Sequence, residues 1–545
     1  MKLNLLAAML LAAAPAAARP QAADSPGRPR LIVAISVDQF SADLFAQYRQ
    51  HFTGGLRRLA NGIVFPAGYQ SHAATETCPG HSTILTGARP ARTGIIANNW
   101  YDQGTAREDK YIYCSEDERV PGSTSENYTV SPWHLRVPTL GDLMRRADPR
   151  SQVIAVAGKD RAAVMMGGHN PNERWWWDGR RFVSHAGAAE PAAVHAANAR
   201  IAEALARPRE AMNMPELCET RSRGTAVPGR DTTVGSGRFA RAADDRGAFR
   251  ASPDFDATIL DLARALRVDF ELGEHQAVDL LAIGLSATDY VGHGYGTNGS
   301  EMCIQLLALD RILGDFFQEL DRANIGYAVV LTADHGGQDL PERLQQQAGA
   351  GARSDPALNA RAMSETLARR LRLQGQVLYG DGPFGDMYVS RALPPRVRAR
   401  VLNEAVATYR AHPQVAAVFT RAEIAATPMP SGPPDAWTLI QRARASFDTE
   451  RSGDFIVLLR PRVTPIAAPS ATGSVATHGS PWDYDRRVPI LFWRRGLTGF
   501  EQPMTAETVD IMPTLAGLIG LPLAPGSVDG RCLDLVTGPE TSCPH

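Results

Sequence analysis

The sequence contains very little lysine. Of its 57 basic residues, only Lys2, Lys110 and Lys159 are lysines, so arginine carries nearly all the positive charge. Lysine presents a compact ammonium, whereas arginine presents a planar guanidinium, and the two are not interchangeable at a binding site. An isolated lysine such as Lys159 therefore suggests a position where a point charge is wanted.

The chain also lacks an excess of charge of either sign, with a formal net charge of −1 over 545 residues. Proteins that bind nucleic acid or an anionic membrane surface usually carry a basic patch or a basic overall balance. The composition of this chain shows no such basic balance. Binding partners must therefore be inferred from a specific site.

Long hydrophobic runs are missing after the first residues. Lys2 precedes an apolar stretch at residues 5–14, and three alanines follow at 16–18. This pattern is typical of an export signal, so we predict a signal peptide at 1–18 and a periplasmic or secreted protein. An uncleaved anchor is the alternative, but no later run approaches the roughly 20 apolar residues of a spanning helix.

Cysteine is scarce for a chain of this length, which excludes a small disulfide scaffold. The absence of any C-x-x-C pair disfavours a thiolate metal site. In an oxidising compartment six cysteines can form three bridges in 15 ways. Proximity favours Cys532 with Cys543, and Cys78 with Cys114 is a second guess; the others are Cys218 and Cys303.

Short apolar runs rich in Val, Ile and Leu recur along the chain. Continuous apolar character is typical of strands that are buried on both faces. We predict an α/β fold: a doubly wound, mostly parallel central sheet with helices on both faces, forming one catalytic domain over 19–545 with cap insertions at about 171–253 and 341–469. The predicted strands are residues 31–37, 153–157, 280–285, 327–331, 455–459 and 488–493, and the predicted helices are residues 301–320, 357–373, 396–411 and 505–518.

Polar residues follow four of these predicted strands. In a doubly wound sheet, ligands bind at the carboxyl ends of the strands. Each aspartate alone fits an ordinary turn or helix cap better than a site, but four strand ends together indicate a site. The residues are Asp38, the Lys159-Asp160-Arg161 element, Asp289 with His293, and Asp334 with His335.

Six oxygen and nitrogen donors are available if His478 is added to the aspartates and histidines at these strand ends: Asp38, Asp289, His293, Asp334, His335 and His478. Six donors exceed the needs of one tetrahedral zinc but suit two metal ions about 4 Å apart in a shared cleft. Two Zn²⁺ ions are the leading interpretation, because calcium and magnesium sites use fewer histidines. A structural Ca²⁺ at Asp483 and Asp485 is a further hypothesis, with a solvated loop as the alternative.

The order of these motifs resembles the alkaline phosphatase and nucleotide pyrophosphatase superfamily. The resemblance includes Thr77-x-x-Gly80-His81, Asn98, Asp289-x-x-x-His293 and Asp334-His335-Gly336. With its Lys-x-Arg element the chain is most similar to bacterial threonine-nucleophile alkaline phosphatases of the phosphate-irrepressible type. This implies an alkaline phosphatase-like fold and hydrolysis of small-molecule phosphate monoesters through a phosphothreonine, with release of inorganic phosphate.

The resemblance also implies a role for each residue. One metal ion would be held by Asp38, Thr77, Asp334 and His335, and the other by Asp289, His293 and His478. Thr77 would be the nucleophile. The non-bridging phosphate oxygens would bind Asn98, Lys159 and Arg161.

Several alternatives remain open at this point. Thr77 also fits a helix N-cap, Asn99 could replace Asn98 if the register shifts, and His81 could merely support its loop. A sulfatase is disfavoured, because the residues after Cys78 do not match Cys-x-Pro-x-Arg. The competing functions are a phosphodiesterase or nucleotide pyrophosphatase of the same superfamily, and a non-catalytic exported metal-binding or phosphate-binding protein. The oligomeric state is not indicated.

Overall fold

The computed structural model describes residues 28–347, 349–537 and 541–543. The predicted signal peptide at 1–18 lies outside these ranges. Within them, no helix combines the length and the apolar character needed to cross a bilayer.

The strands begin soon after the first described residue and continue almost to the carboxyl terminus. They are β1 (Leu31–Val37), β2 (Ile63–Tyr69), β3 (Asn99–Tyr101), β4 (Tyr111–Tyr113), β5 (Val153–Ala157), β6 (Glu173–Trp177), β7 (Phe182–Val183), β8 (Asp279–Leu285), β9 (Tyr327–Thr332), β10 (Ala352–Arg353), β11 (Leu378–Tyr379), β12 (Gly385–Val389), β13 (Val415–Thr420), β14 (Phe455–Leu459), β15 (Val463–Thr464), β16 (Arg487–Arg494), β17 (Phe500–Glu501) and β18 (Ala506–Glu507).

The α-helices fill the intervals between these strands. They are α1 (Ala42–Tyr48), α2 (Gly55–Ala60), α3 (Thr77–Ile84), α4 (Pro90–Thr93), α5 (Leu140–Ala147), α6 (Asp160–Gly167), α7 (Ala192–Leu205), α8 (Glu216–Glu219), α9 (Arg246–Arg250), α10 (Pro253–Asp269), α11 (Ala287–Tyr295), α12 (Ser300–Arg322), α13 (Pro341–Gln346), α14 (Ala360–Leu371), α15 (Pro395–Arg410), α16 (Arg421–Ala426), α17 (Leu439–Ser446), α18 (Asp483–Arg486) and α19 (Ile511–Leu518).

A large central sheet organises the molecule, with the strand order β17-β2-β16-β9-β1-β8-β5-β6-β7 and β18 beside β2. The core pairs β9-β1-β8-β5-β6 are parallel, and β16 and β7 run antiparallel to their neighbours. Along β1, Val33 and Ile35 enter one apolar core while Ile32 and Ala34 enter another. Both sheet faces are therefore covered, and the predicted doubly wound fold is confirmed.

A smaller antiparallel sheet forms most of the second predicted insertion, which we call the cap. Its strand order is β11-β12-β14-β13, and α14 and α15 pack against it in a separate core. The sequence prediction that residues 455–459 join the central sheet was wrong, because they form β14 of the cap. The run is indeed buried on both faces, but burial does not reveal which sheet a strand joins.

The first predicted insertion begins inside the central sheet. Trp175, Trp176 and Trp177 lie on β6, which pairs with β5, and their side chains are buried. Helix α7 then packs against α10 in the main core. The tryptophans are therefore packing residues of the central sheet.

The described structure contains three disulfide bonds. Cys78 pairs with Cys114 and Cys532 with Cys543, as the sequence suggested, and Cys218 pairs with Cys303. The Cys218–Cys303 bridge joins the short helix α8 to α12.

Candidate active site

The carboxyl ends of four adjacent parallel strands bring the predicted residues together. In the strand register Val37 lies beside Leu285, Ser36 beside Thr332, and Ala157 beside Gly284. The chain therefore leaves β1, β8, β9 and β5 at one edge of the sheet. Asp38, the first turn of α11, the Asp334-His335 pair and Lys159 follow directly.

One group of candidate ligands combines α11 with the loop before α18. Asp289 and His293 are four residues apart and share one face of α11. The Oδ1 atom of Asp289 lies 3.3 Å from Nε2 of His293 and 3.5 Å from Nε2 of His478. One ligand atom from each of the three residues lies within 4.8 Å of the others, which suits a single metal ion.

Backbone carbonyls fix the orientation of three histidine rings. Nδ1 of His293 lies 2.9 Å from the Ala476 carbonyl, and Nδ1 of His478 lies 2.8 Å from the Thr75 carbonyl. Nδ1 of His335 lies 2.8 Å from the Gly336 carbonyl. Because a carbonyl only accepts, each Nδ1 carries the proton, and Nε2 is the nitrogen of each ring that can bind a metal ion.

A second group contains Asp38, Asp334 and His81, again with ligand atoms within 4.8 Å of one another. Nε2 of His81 lies 3.3 Å from Asp38 Oδ1, and Nδ1 lies 3.3 Å from Asp334 Oδ2. His335 adjoins this group with Nε2 at 3.1 Å from Asp334 Oδ2, and its ring stacks on His478 at 3.5 Å. The two groups therefore meet at the stacked rings.

The donor atoms of the second group fit a cation. Both carboxylate oxygens of Asp38, Oδ2 of Asp334 and Nε2 of His335 are buried and make no hydrogen bond among the described residues, although the Lys159 ammonium lies 2.9 Å from Asp38 Oδ2 as an ion pair. Leaving such groups unsatisfied is costly. A divalent metal ion would satisfy these oxygen and nitrogen donors together.

Asp38 and Asp289, one carboxylate from each group, remain ionised despite their burial. Burial alone would raise the pKa of Asp38, but Lys159 and His81 hold it below its usual value. Burial likewise opposes ionisation of Asp289, while His293 and Lys159 lower its pKa well below the usual range. Ionised carboxylates are the form that binds metal ions.

Thr77 lies at the first position of α3 and is 1% exposed. The N-cap is Glu76, so Thr77 is not the capping residue that the sequence also allowed. The helix approaches the second group so closely that a Cβ at Gly80 would lie 1.9 Å from the Asp334 carbonyl oxygen. The glycine of Thr-x-x-Gly-His is therefore required by this contact.

Asn98 is fixed beside the start of α3. Its Oδ1 accepts the N–H of Cys78 at 2.8 Å, and its own N–H donates to Glu76 Oε2 at 2.6 Å. The Cys78–Cys114 bridge joins the same two segments. Asn99, the alternative, instead donates its amide to Asp381 of the cap at 3.2 Å, so the structure favours Asn98.

Comparison with known proteins agrees with this geometry. The family model for type I phosphodiesterase / nucleotide pyrophosphatase matches residues 32–481, which include the residues of both groups. The chain belongs to this family.

Curated relatives of the family cover almost the whole chain. The alkaline phosphatase PhoK of Sphingomonas sp is 57% identical, covering 94% of this chain and 92% of the relative. The alkaline phosphatase PhoD of Zymomonas mobilis is 50% identical, covering 94% and 89%. Among solved structures, wild-type alkaline phosphatase PafA superposes with a TM-score of 0.81 at 26% identity, covering 94% of this chain and 100% of that one.

Within this family fold, Lys159 lies between the two groups of ligands. Its ammonium is 2.9 Å from Asp38 Oδ2 and 2.5 Å from Asp289 Oδ2, and it is 3% exposed. Burial lowers the pKa of this amine, but Asp289 and Asp38 outweigh burial and raise it above its usual value. Lys159 therefore stays charged and bridges one carboxylate of each group.

Arg161 lies in the first turn of α6, one residue after Asp160. Its guanidinium donates to the Tyr113 hydroxyl at 3.3 Å. The hydroxyls of Tyr113 and Tyr128 both donate to Asp160 at 2.8 Å. The hairpin β3–β4 thereby holds the Lys-x-Arg element at the edge of the site.

A small cavity of about 60 Å³ lies between the start of α3 and the cap. Glu76 and Gly479, the neighbours of Thr77 and His478, form part of its wall. Aromatic residues from the hairpin and the cap complete the wall, among them Trp100, Tyr101, Tyr111 and Phe384. The cap therefore borders the space next to the reacting residues.

Two residues at the centre of the site were not assigned such a position from the sequence. His81 was predicted at most to support its loop, yet it contacts Asp38 and Asp334. Gln39, fully overlooked, donates hydrogen bonds to Asp334 and Asp289. In the sequence, only its position directly after Asp38 could have indicated that Gln39 lies in the site.

The two glycines after His335 lie where neighbouring segments approach closely. Neither Gly336 nor Gly337 has a positive φ, so no left-handed turn is formed there. A Cβ at Gly336 would lie 2.2 Å from the Tyr484 carbonyl oxygen, and one at Gly337 would lie 2.7 Å from the Gln39 side chain. They are needed for close approach of neighbouring segments.

The hypothetical calcium ligands Asp483 and Asp485 have different partners in the structure. Asp483 pairs with Arg486 at 3.0 Å and lies 3.7 Å from Arg442. Asp485 accepts the N–H of Ser480 at 2.9 Å. Because arginine already neutralises Asp483, the arrangement disfavours a calcium ion shared by these two residues.

Proposed function

We propose that this chain is an exported alkaline phosphatase that hydrolyses small phosphate monoesters through a phosphothreonine at Thr77. The observation that supports this proposal is the meeting of two carboxylate–histidine groups at the strand ends beside the first turn of α3. The relatives named alkaline phosphatase, with at least 50% identity over nearly the full chain, support the same conclusion.

Two Zn²⁺ ions are the proposed cofactors. Asp289, His293 and His478 would hold one ion, and Asp38, Thr77, Asp334 and His335 the other. The mixture of imidazole and carboxylate donors favours zinc over calcium or magnesium. The ions supply Lewis-acid activation of the threonine hydroxyl and of water, and compensate negative charge at phosphorus.

The protein provides the covalent step. The Thr77 hydroxyl oxygen attacks phosphorus and loses its proton, while the bond from phosphorus to the ester oxygen breaks and the departing alkoxide takes up a proton. Water then attacks phosphorus, inorganic phosphate leaves, and the Thr77 oxygen regains a proton. Asn98, held by Cys78 and Glu76, would bind a phosphate oxygen during both steps.

Preference for monoesters is assigned to Lys159 and Arg161. A monoester dianion has three non-bridging oxygens, whereas a diester replaces one of them with a second substituent. Two additional cations therefore stabilise the monoester more strongly. On this proposal the Lys159 ammonium, which bridges Asp38 and Asp289, also contacts the bound phosphoryl group.

The test compares turnover of an aryl phosphate monoester with that of the corresponding bis-aryl diester. The native protein should prefer the monoester, lose activity after chelation and recover it with Zn²⁺. Thr77→Ala should lose at least about 1,000-fold in kcat/KM, since it removes the nucleophile. A suitable control is Thr86→Ala, because Thr86 follows α3 and bonds to Ser82 and Ala88 away from the ligand groups.

Other outcomes of this experiment point to the competing functions. Faster turnover of the diester would identify a phosphodiesterase and refute the proposal. Metal binding with no turnover of either ester would indicate a non-catalytic metal-binding protein.

A further inference from the structure

Gln39 lies directly after Asp38, between the two groups of candidate ligands. Its side chain is 2% exposed, and its φ of 65° places it in the left-handed region. A buried non-glycine residue persists in that conformation only where its surroundings hold it, and such residues concentrate at functional sites. The contacts of Gln39 therefore need an explanation.

Those contacts join the two groups. The backbone N–H of Gln39 donates to Asp334 Oδ1 at 3.1 Å, and its side-chain Nε2 donates to Asp289 Oδ1 at 3.1 Å. In this left-handed conformation, the backbone N–H of Gln39 reaches Asp334 while its side chain reaches Asp289.

The hydrogen bond to Asp334 determines which of its oxygens remains available. Oδ1 accepts both the Gln39 N–H and the His335 N–H, the latter at 2.9 Å. Oδ2 is left without a hydrogen bond and lies 3.1 Å from Nε2 of His335. Gln39 thus helps to direct Oδ2 toward the donor atoms of its own group.

Asp289 is held in a comparable way. Its Oδ2 contacts Lys159, while Oδ1 accepts from Gln39 and faces His293 and His478. A carboxylate oxygen can accept a hydrogen bond and bind a metal ion at once. Gln39 and Lys159 together fix the rotation of this carboxylate.

Two glycines leave the space that Gln39 occupies. A Cβ at Gly292, within α11, would lie 1.5 Å from Gln39 Oε1. A Cβ at Gly337 would lie 2.7 Å from Cγ and from Cδ of the same side chain. The segments that carry Asp289 and Asp334 are therefore both shaped around this glutamine.

We propose that Gln39 is a positioning residue that fixes Asp334 and Asp289 relative to each other and so holds the two metal ions in register. This inference rests on the two-metal site proposed above. Hydrogen-bond partners of metal ligands commonly change metal affinity by about 10- to 100-fold when removed. Gln39 contacts one proposed ligand of each ion. Its backbone N–H binds Asp334, and its side-chain amide binds Asp289.

The direct test is Gln39→Met, which keeps the length of the side chain and the backbone N–H but removes the amide donor. We expect the ion held by Asp289, His293 and His478 to be lost at a roughly 10-fold lower chelator concentration. The second ion should stay bound to higher chelator concentrations. Elemental analysis after equilibrium dialysis measures the metal content per chain at each chelator concentration, independently of activity. The variant His293→Ala, which removes a ligand of this ion, shows which step of metal release belongs to it.

Gln338→Met is the matched control. Gln338 is also buried and lies three residues after His335, but its amide donates to Thr464 at 3.3 Å. Its substitution should leave the release of both ions unchanged. If Gln39→Met does not fold, Gln39→Gly removes the same side chain and suits the left-handed backbone.

The inference is overturned if either folded Gln39 variant retains both ions as the native protein does, or if Gln338→Met causes the same loss. A native protein that binds both ions but does not hydrolyse a monoester would refute the proposed function, while the metal-release comparison would still decide the role of Gln39.

Discussion

Lys159 is the residue on which monoester preference should depend. Its buried ammonium compensates Asp38 and Asp289 and lies where both ligand groups meet. We expect Lys159→Ala to lower kcat/KM for an aryl monoester by about 100-fold or more, and that for the diester much less, because a charge-compensating contact to the dianion is lost.

Lys110→Ala provides the control for this change. Lys110 is the other lysine in the described structure, and its ammonium donates to the Thr105 carbonyl in the hairpin region. The Lys110→Ala variant should leave the turnover of both the monoester and the diester unchanged. Equal losses of monoester and diester turnover in Lys159→Ala would contradict the proposed role of Lys159 and indicate that it only supports the metal ligands.

The residues that chemistry requires were easier to predict than those that support them. Asp38, Asp289 and Asp334 follow apolar strands, and strand ends converge in a predictable way. Gln39 and His81 could not be assigned in the same manner. Their roles depend on the backbone conformation at Gln39 and on the closeness of α3 to Asp334, neither of which has a pattern in the sequence.

Helix α3 and the β3–β4 hairpin form the element that carries Thr77, the proposed nucleophile. The Cys78–Cys114 bridge joins them, and the N–H of Cys114 also donates to the Asn98 carbonyl at 2.9 Å. Replacing both cysteines by serine should lower the free energy of unfolding by about 4 kcal/mol, given a loop of 36 residues. It should also reduce kcat, since Thr77 and Asn98 lose a shared anchor.

The Cys532–Cys543 bridge allows a matched comparison. It closes a loop of 11 residues near the carboxyl terminus, away from the ligand groups. Its double serine variant should lose about 3 kcal/mol of stability and no kcat. Thermal or denaturant unfolding and steady-state kinetics measure both effects, and unchanged kcat in the Cys78 and Cys114 double variant would show that the hairpin does not position the nucleophile.

Elements were predictable where burial and periodicity agree. Helix α12 was expected at residues 301–320 and spans Ser300–Arg322, because its apolar positions recur at helical spacing. Strand β2 was missed, since Pro66 and Gly68 interrupt its apolar run. Strand β14 was recognised but placed in the wrong sheet, because only tertiary contacts distinguish the cap from the central sheet.

At the scale of the whole molecule, the site depends on segments separated by more than four hundred residues in the chain, from Asp38 to His478. The parallel sheet gathers the first ligands at one edge, and the segment after the cap returns His478 to α11. Convergence of this kind could be inferred from the sequence because one sheet edge collects the strand ends. The cap contacts around the cavity could not be inferred, since they depend on how two separate cores meet.

The central claim is that Thr77 forms a covalent phosphothreonine during monoester hydrolysis. The most direct test is to quench the metal-loaded protein in acid during turnover and to measure the mass of the intact chain, followed by peptide mapping. The account predicts one added phosphoryl group per chain, located at Thr77 and absent from Thr77→Ala. Turnover of the monoester with no covalent phosphate, or with phosphate on a different residue, would contradict it.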